Sequence, residues 1–417
     1  RWSGNSISWS KSSKPSPRRS NSGTLPVPLS NLSELLPAAP WLLPFLTLPR
    51  LARRTPNLSD APRSSGPMVS IIIPARNESR TIGTVIQSVL QSTYQPFEVL
   101  VVDDRSADDT ASLVRRFTSD ARLRLLSGEE LPTGWYGKPW ACFQGYRAAR
   151  GDLLLFTDAD TTHYPELLER AVGALLTQRA DLVTVSPRQR CITFWERIVM
   201  PQIWYLLALR YTPRSVNRAR RPRDVIANGQ FILTSRTAYE TAGTHAAVRH
   251  EVAEDLALAQ TYIGKGLKLH FAFAERLMET RMYEGLSSLI EGWSKNIYLG
   301  GRRSFPDEPF QRSLVPAMLI TAMVFWLIPP ALLIWGAAEG WAVLSAAATL
   351  AVGLSLVFWI IICYGMLIPP LYGLGYPLGA LMALYIVLRS TWRGNRRIEW
   401  RGRVYDESES GDKAGGP

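Results

Sequence analysis

Acidic residues stand at four points where apolar runs end. Glu78 follows Ile71-Ile72-Ile73-Pro74, Asp103 and Asp104 follow Val99 to Val102, Asp158-Ala159-Asp160 follows Leu153 to Thr157, and Glu254-Asp255 forms a fourth site. One carboxylate after a buried strand often does no more than cap the next helix. Several on one sheet edge repel one another unless a cation or a donor-rich ligand sits among them, so their recurrence points to a ligand. Asp158 and Asp160 are the sharpest pair, because the single residue between them turns both carboxylates toward one divalent ion. Hard oxygens of this kind suit Mg2+ or Mn2+ bound together with substrate phosphates. Lys138, flanked by Tyr136, Pro139 and Trp140, is placed to contact a phosphate, although a loop lysine facing solvent would look the same.

The elements around these residues alternate. Val69 to Ile73 reads as a buried strand, Ser79 to Gln91 as a helix and Phe97 to Val102 as a second strand. A helix over Ala107 to Phe117, a strand at Arg122 to Leu126, a helix around Trp140 to Arg150 and a strand at Leu153 to Thr157 continue the pattern. The order predicts an α/β fold with a mainly parallel, Rossmann-like sheet covered on both faces, and ligands at the C-terminal strand ends.

Composition divides the chain. Of 417 residues, 46% are apolar, and they crowd into 314 to 388. Leu314 to Ala338, Trp341 to Cys363 and Leu371 to Leu388 are long and nearly free of charge, the signature of two or three transmembrane helices. Three crossings would put the arginine-rich tail across the membrane from the catalytic part, against the positive-inside tendency. The shorter run Leu35 to Leu48 is interrupted by prolines and reads as an interfacial or re-entrant anchor. The expected divisions are a structureless 1–33, an anchor and basic linker at 34–65, a catalytic domain at 66–303, a membrane region at 304–390 and a basic, then structureless, tail at 391–417.

The net charge of +12 argues little for nucleic acid. Much of it comes from Arg50, Arg53, Arg54, Arg302, Arg303 and the run Arg389 to Arg403, which flank apolar stretches and suit anionic headgroups on a cytoplasmic face. Cys142, Cys191 and Cys363 lie far apart, with no zinc-like spacing, and read as small buried apolar residues in a reducing compartment. The histidines show no ligand spacing. Trp195, Trp204 and Tyr205 read as core or membrane-surface anchors, on a stretch (194 to 211) that could form an interfacial helix receiving a lipid.

The segments Val69-Ser-Ile-Ile-Ile-Pro-Ala-Arg-Asn-Glu78, Val101-Val-Asp-Asp-Arg-Ser-Ala-Asp-Asp-Thr110, Asp158-Ala-Asp160 and Glu254-Asp255 resemble, in order and spacing, the motifs of family 2 glycosyltransferases. Gly134-Trp-Tyr-Gly-Lys-Pro-Trp140 and Trp400-Arg-Gly-Arg-Val-Tyr405 resemble the membrane-bound group that includes hopanoid-associated and carotenoid glycosyltransferases. The resemblance implies a GT-A fold with a nucleotide-sugar donor and a lipid or isoprenoid acceptor. It implies that Pro74, Arg76 and Glu78, with Asp103 and Asp104, hold base and ribose, and that Asp160, helped by Asp158, holds Mg2+ or Mn2+ on the diphosphate. Asp255 would be the general base of an inverting displacement, oriented by Glu254. The family's Gln-x-x-Arg-Trp motif is replaced by Glu291-Gly-Trp-Ser-Lys295, in which Trp293 is kept and Lys295, Arg302 or Arg303 could stand in for the arginine on the diphosphate. The change argues against processive polymer synthesis. Three rivals fit less well: a nucleotidyltransferase lacks its glycine-rich loop here, a degenerate scaffold would not keep these carboxylates, and a transporter would need ionisable groups in its spans.

Overall fold

The structure is a computed structural model that describes residues 32–52, 55–305, 309–394, 398–400 and 403–405. The expected structureless segment 1–33 falls outside these residues except for Leu32 and Ser33, as do Arg53, Arg54 and most of the tail beyond 394.

Ten strands build the catalytic part: β1 (Val69–Ala75), β2 (Phe97–Asp103), β3 (Leu123–Ser127), β4 (Leu153–Thr157), β5 (Thr161–His163), β6 (Leu182–Ser186), β7 (Arg188–Gln189), β8 (Phe231–Ser235), β9 (Leu269–Phe273) and β10 (Met278–Thr280). Seven of them form one sheet in the order β3-β2-β1-β4-β8-β6-β9. Only β8 runs against its neighbours β4 and β6, so the sheet is mainly parallel, as the alternation of strand and helix predicts. The small sheet β5-β10-β7 braces one end.

Apolar runs without alternation are what a sheet buried on both faces demands. Val69, Ile71 and Ile73 pack on one side with Val85, Ile86 and Ala171, while Ile72 packs on the other with Ala141, Cys142 and Tyr262. Helix Gly137–Ala148 crosses that second face so closely that a Cβ on Gly145 would meet the Ile72 side chain and lie 3.2 Å from Val102 Cγ2. The helix begins earlier than the expected Trp140. Pro139 fits its first turn, where the missing N–H has no intrahelical partner to lose, and Lys138 is thereby carried on a helix rather than a loop.

Three helices are long and apolar enough to cross a membrane: Pro309–Glu339, Ala342–Gly365 and Pro370–Arg393, the last opening with a 3-10 turn. The prolines at 37, 40 and 44 do not break Leu32–Thr47, which winds as a 3-10 helix. Its Trp41 stacks on Phe325 at 5.2 Å and donates to the Phe325 carbonyl. Helix Phe194–Arg210 joins the two halves. Ile198 and Val199 cluster with Trp293 and Ile386, Tyr205 joins Phe358 and Trp359, and the Ile198 carbonyl fills the space a Cβ on Gly379 would need. The third apolar helix meets the catalytic part at both ends, with Tyr376 O receiving Gln202 Nε2 and with Arg389 and Arg393 paired to Glu291.

Candidate active site

The C-terminal ends of β1, β2 and β4 open on one edge, and two kinds of polar structure meet there. At the β1 and β2 end the loops hold themselves by backbone contacts. Arg76 donates to the Asp104 carbonyl at 2.5 Å, with the Asp104 carboxylate 4.0 Å away. Asn77 adopts φ 53° and accepts from Ala107 N–H, while Asp108 accepts from the amides of Ser79 and Thr110. These hydrogen bonds draw the Asp108 carboxyl down to about 2, against the opposing effect of its partial burial. Asp103 Oδ1 is buried without a hydrogen-bond partner among the described residues, an acceptor suited to a donor-rich ligand such as a base or ribose. Gly128 donates its N–H to the Asp103 carbonyl at 2.8 Å, and a Cβ there would approach that oxygen to 2.7 Å.

At the β4 end one cation organises the carboxylates. Lys138 Nζ lies 2.8 Å from Asp158 Oδ1 and 2.8 Å from Glu254 Oε1. Burial alone would depress the ammonium, but Asp158, Glu254 and Asp255 outweigh it and hold its pKa well above the ordinary value. Burial pushes the Glu254 carboxyl up, and Lys138 more than reverses that, leaving it low. Asp255 goes the other way. Burial and the neighbouring Glu254 charge raise it to about 6, despite Lys138 and the amides of Gly229 and Leu256 that its oxygens accept at 2.8 and 2.7 Å. Helix Glu254–Gly264 sets both acids in its first turn, where exposed N–H groups favour negative charge.

Threonines pin the Asp158–Asp160 turn. Thr161 donates to the Asp158 carbonyl at 2.8 Å and Thr280 to the Asp160 carbonyl at 3.1 Å, while Thr157 reaches the Gln230 carbonyl. His163 lies behind it in contact with Thr157 and Thr161, and burial lowers its pKa to about 3. Among the described residues no three His, Cys, Asp or Glu side chains form a metal-holding group. The Asp158–Asp160 set supplies hard oxygens but too few, so it fits a divalent ion whose remaining ligands come from bound phosphates.

The residues singled out in the sequence therefore gather unevenly. Lys138, Asp158, Glu254 and Asp255 form one cluster, and Arg76, Asp103 and Asp104 form another, with Pro74 in strand β1 and Glu78 on the loop that follows it. Trp293 is buried in the apolar cluster, its indole N–H 3.3 Å from Met200 Sδ, and it meets the site through Tyr283 at 6.1 Å between rings. Burial, and then the Asp160 charge, raise the Tyr283 phenol. Lys295 lies half-buried on helix Leu286–Arg303. Arg303 pairs with Glu251 at 3.1 Å and Arg302 lies over the Tyr298 ring. Sequence reasoning quoted Asn77 and Asp108 within the matched motifs without giving either a role of its own, and it missed Gly128, Thr280 and Asn228-Gly229-Gln230. Gly229 was beyond reach, since its importance lies in contacts with Asp255 and Lys138 that no local pattern announces.

Residues 70–243 match the family model described as glycosyl transferase family 2. The chain is 30% identical over 269 residues to a 4,4'-diaponeurosporenoate glycosyltransferase of Staphylococcus aureus, a match covering 62% of this chain and 65% of that protein. Among solved structures, a mannosyltransferase from Pyrobaculum calidifontis in complex with GDP-Man and Mn2+ superposes with a TM-score of 0.52 at 19% identity, over 86% of this chain and 98% of the other. That likeness is one of fold.

Proposed function

We propose, from the premise that residues 70–243 are a family 2 glycosyltransferase domain of GT-A fold, that this chain moves a sugar from a nucleotide-sugar donor to a hydroxyl of a lipid or isoprenoid acceptor at the membrane. The observation that carries the reading is Asp255, raised to about 6 and set beside Glu254 and Lys138 at the end of the sheet edge that bears the Asp158–Asp160 turn. A carboxylate with that pKa is ionised at neutral pH and is a stronger base than an ordinary aspartate.

In the mechanism we infer, Asp255 takes the proton of the acceptor hydroxyl as its oxygen forms a bond to the anomeric carbon. The bond from that carbon to the diphosphate oxygen breaks on the opposite face, so configuration inverts and nucleoside diphosphate leaves. Gly229 and Leu256 amides fix the Asp255 carboxylate for this transfer. Glu254 and Lys138 keep the local charge balanced and orient the pair. Pro74, Arg76, Glu78, Asp103 and Asp104 bind the nucleoside, and Lys138 and Lys295 serve the donor side, with Trp293 supporting it from the apolar cluster through Tyr283. Asp158 and Asp160 would hold Mg2+ or Mn2+, which when bound offsets charge on the departing diphosphate.

The acceptor is inferred from the carotenoid glycosyltransferase relative and from the apolar helices beside the site. We place the catalytic domain on the cytoplasmic face of a multi-pass membrane protein. The pairing of Arg389 and Arg393 with Glu291 supports a tail on the catalytic side, the arrangement that the positive-inside tendency favours over a third full crossing.

The test is release of nucleoside diphosphate from a panel of nucleotide sugars by the full chain in detergent with lipid extract, with Mn2+ or EDTA. Metal-dependent, lipid-stimulated release is expected. Nucleotide binding without turnover for any donor would overturn the reading in favour of a scaffold.

A further inference from the structure

Apart from the acidic cleft, a cavity of about 330 Å³ is lined by Arg210, Arg218, Arg220, Arg221, Ser215 and Asp224. Four guanidinium groups thus face a single carboxylate, which lies 3.4 Å from Arg210. Arg218, Arg220 and Arg221 are exposed, whereas Arg210 is half-buried and stacks between the rings of Tyr211 and Phe305 at 4.8 and 5.6 Å. Arg210 Nε is buried without a hydrogen-bond partner among the described residues.

The position of the cavity is as telling as its charge. Arg210 ends the helix that joins catalytic domain to apolar bundle, and Tyr211 donates to Ser304 Oγ at 2.7 Å. Phe305 accepts from Arg312, in the first turns of the first apolar helix. The cavity therefore opens where that helix leaves the catalytic part.

We propose that this cavity binds the phosphodiester headgroup of an anionic membrane lipid. Planar guanidinium forks match phosphate oxygens in pairs, and an arginine near an anionic membrane surface contributes about 1 kcal/mol, or roughly a fivefold change in affinity. The cavity is roomy enough for a phosphate and its head alcohol. The inference rests on the membrane reading but not on glycosyl transfer.

The test uses the full chain in neutral detergent, titrated with dioctanoyl phosphatidylglycerol, dioctanoyl phosphatidylcholine or inorganic phosphate, with binding followed by thermophoresis. Phosphatidylglycerol is expected to bind at least tenfold tighter than phosphatidylcholine. R218A/R220A/R221A should lose that preference by at least tenfold, R115A/R116A/R147A should keep it, and D224N, which removes the one opposing charge, should tighten binding severalfold. An unchanged preference in R218A/R220A/R221A overturns the proposal, and so does inorganic phosphate binding as tightly as the lipid, which would make this a free-anion site. Should the triple variant not fold, an unchanged affinity in D224N overturns it alone. Nucleoside diphosphate release measured in parallel separates a failure here from a failure of the catalytic reading.

Discussion

The two ends of the cleft hold their carboxylates in different ways. At the β1 and β2 end, Asp104 and Asp108 are set by backbone groups and by Arg76, all within loops that leave adjacent strands. At the β4 end, Asp158 and Glu254, nearly a hundred positions apart, share one lysine from a third element. The first arrangement makes a shaped, pre-set surface for a ligand. The second makes a charge-balanced cluster in which one acid, Asp255, is left with a raised pKa. On the proposed reading, binding and proton transfer are separated along one sheet edge, and variants at each end should fail differently.

The largest contrast is expected from Asp255→Asn, which keeps shape and removes the proposed base. Turnover should fall by about 10²–10⁴ with nucleotide affinity unchanged, measured as nucleoside diphosphate release beside equilibrium nucleotide binding. Asp103→Asn should do the reverse, weakening nucleotide binding more than the chemical step. Turnover of Asp255→Asn within tenfold of the parent would end the division of labour.

Next comes Lys138→Met. Removing the cation leaves buried Glu254 and half-buried Asp158 facing each other without their shared partner. Breaking a fully buried charge pair from one side costs about 3–5 kcal/mol, and the partial exposure of Asp158 puts the loss here at or below the lower end. Denaturant unfolding of the full chain should show that loss. Arg76→Met should cost less, because its short contacts are to the Asp104 and Arg105 carbonyls and the Asp104 carboxylate lies 4.0 Å away. Equal losses would mean that the two ends are built alike.

This contrast also explains what the sequence could disclose. Strand ends were legible because Val99 to Val102 stop at Asp103 and the run Ile71-Ile72-Ile73-Pro74-Ala75 gives way to Arg76, and a sheet buried on both faces needs such runs. Arg76, Asp103 and Asp104 lie close in sequence to the strands that aim them, so their grouping could be foreseen. The meeting of Lys138 with Glu254 could not, because it depends on helix Gly137–Ala148 beginning early, at Gly137, and on where helix Glu254–Gly264 returns. The 3-10 helix at Leu32–Thr47 was hidden for a related reason. Its prolines read locally as breaks, while its stability comes from Trp41 and Phe45 packing on Phe325 and Phe358.

Two glycines sharpen the comparison at smaller scale. Gly128→Ala would press a methyl to 2.7 Å from the Asp103 carbonyl, a backbone atom that cannot swing away, so nucleotide affinity should fall about tenfold. Gly229→Ala would meet Lys138 Nζ at 3.0 Å and Asp255 Oδ2 at 3.2 Å, both side-chain ends that can shift. It should lower turnover a few-fold and leave nucleotide binding alone. Titration calorimetry with nucleoside diphosphate, set against initial rates, distinguishes them.

The smallest effect tests the electrostatics directly. Asp255 titrates near 6 in the folded chain against 3.8 for an unperturbed aspartate, so the folded state holds its proton more tightly than the unfolded chain does. Ionised Asp255 therefore works against folding, fully so above about pH 6, and the penalty fades as pH falls toward 4. Asp255→Asn should raise Tm by a few degrees at pH 7.5 and by much less at pH 5. Parent turnover should decline as pH drops through about 6, because the proton then occupies the proposed base, Asp255. Arg76→Met offers the control, since it should leave that pH dependence in place. An Asp255→Asn stabilisation that grew toward low pH would instead mean that the ionised carboxylate is held favourably, and the β4 end would then be a binding surface like its neighbour.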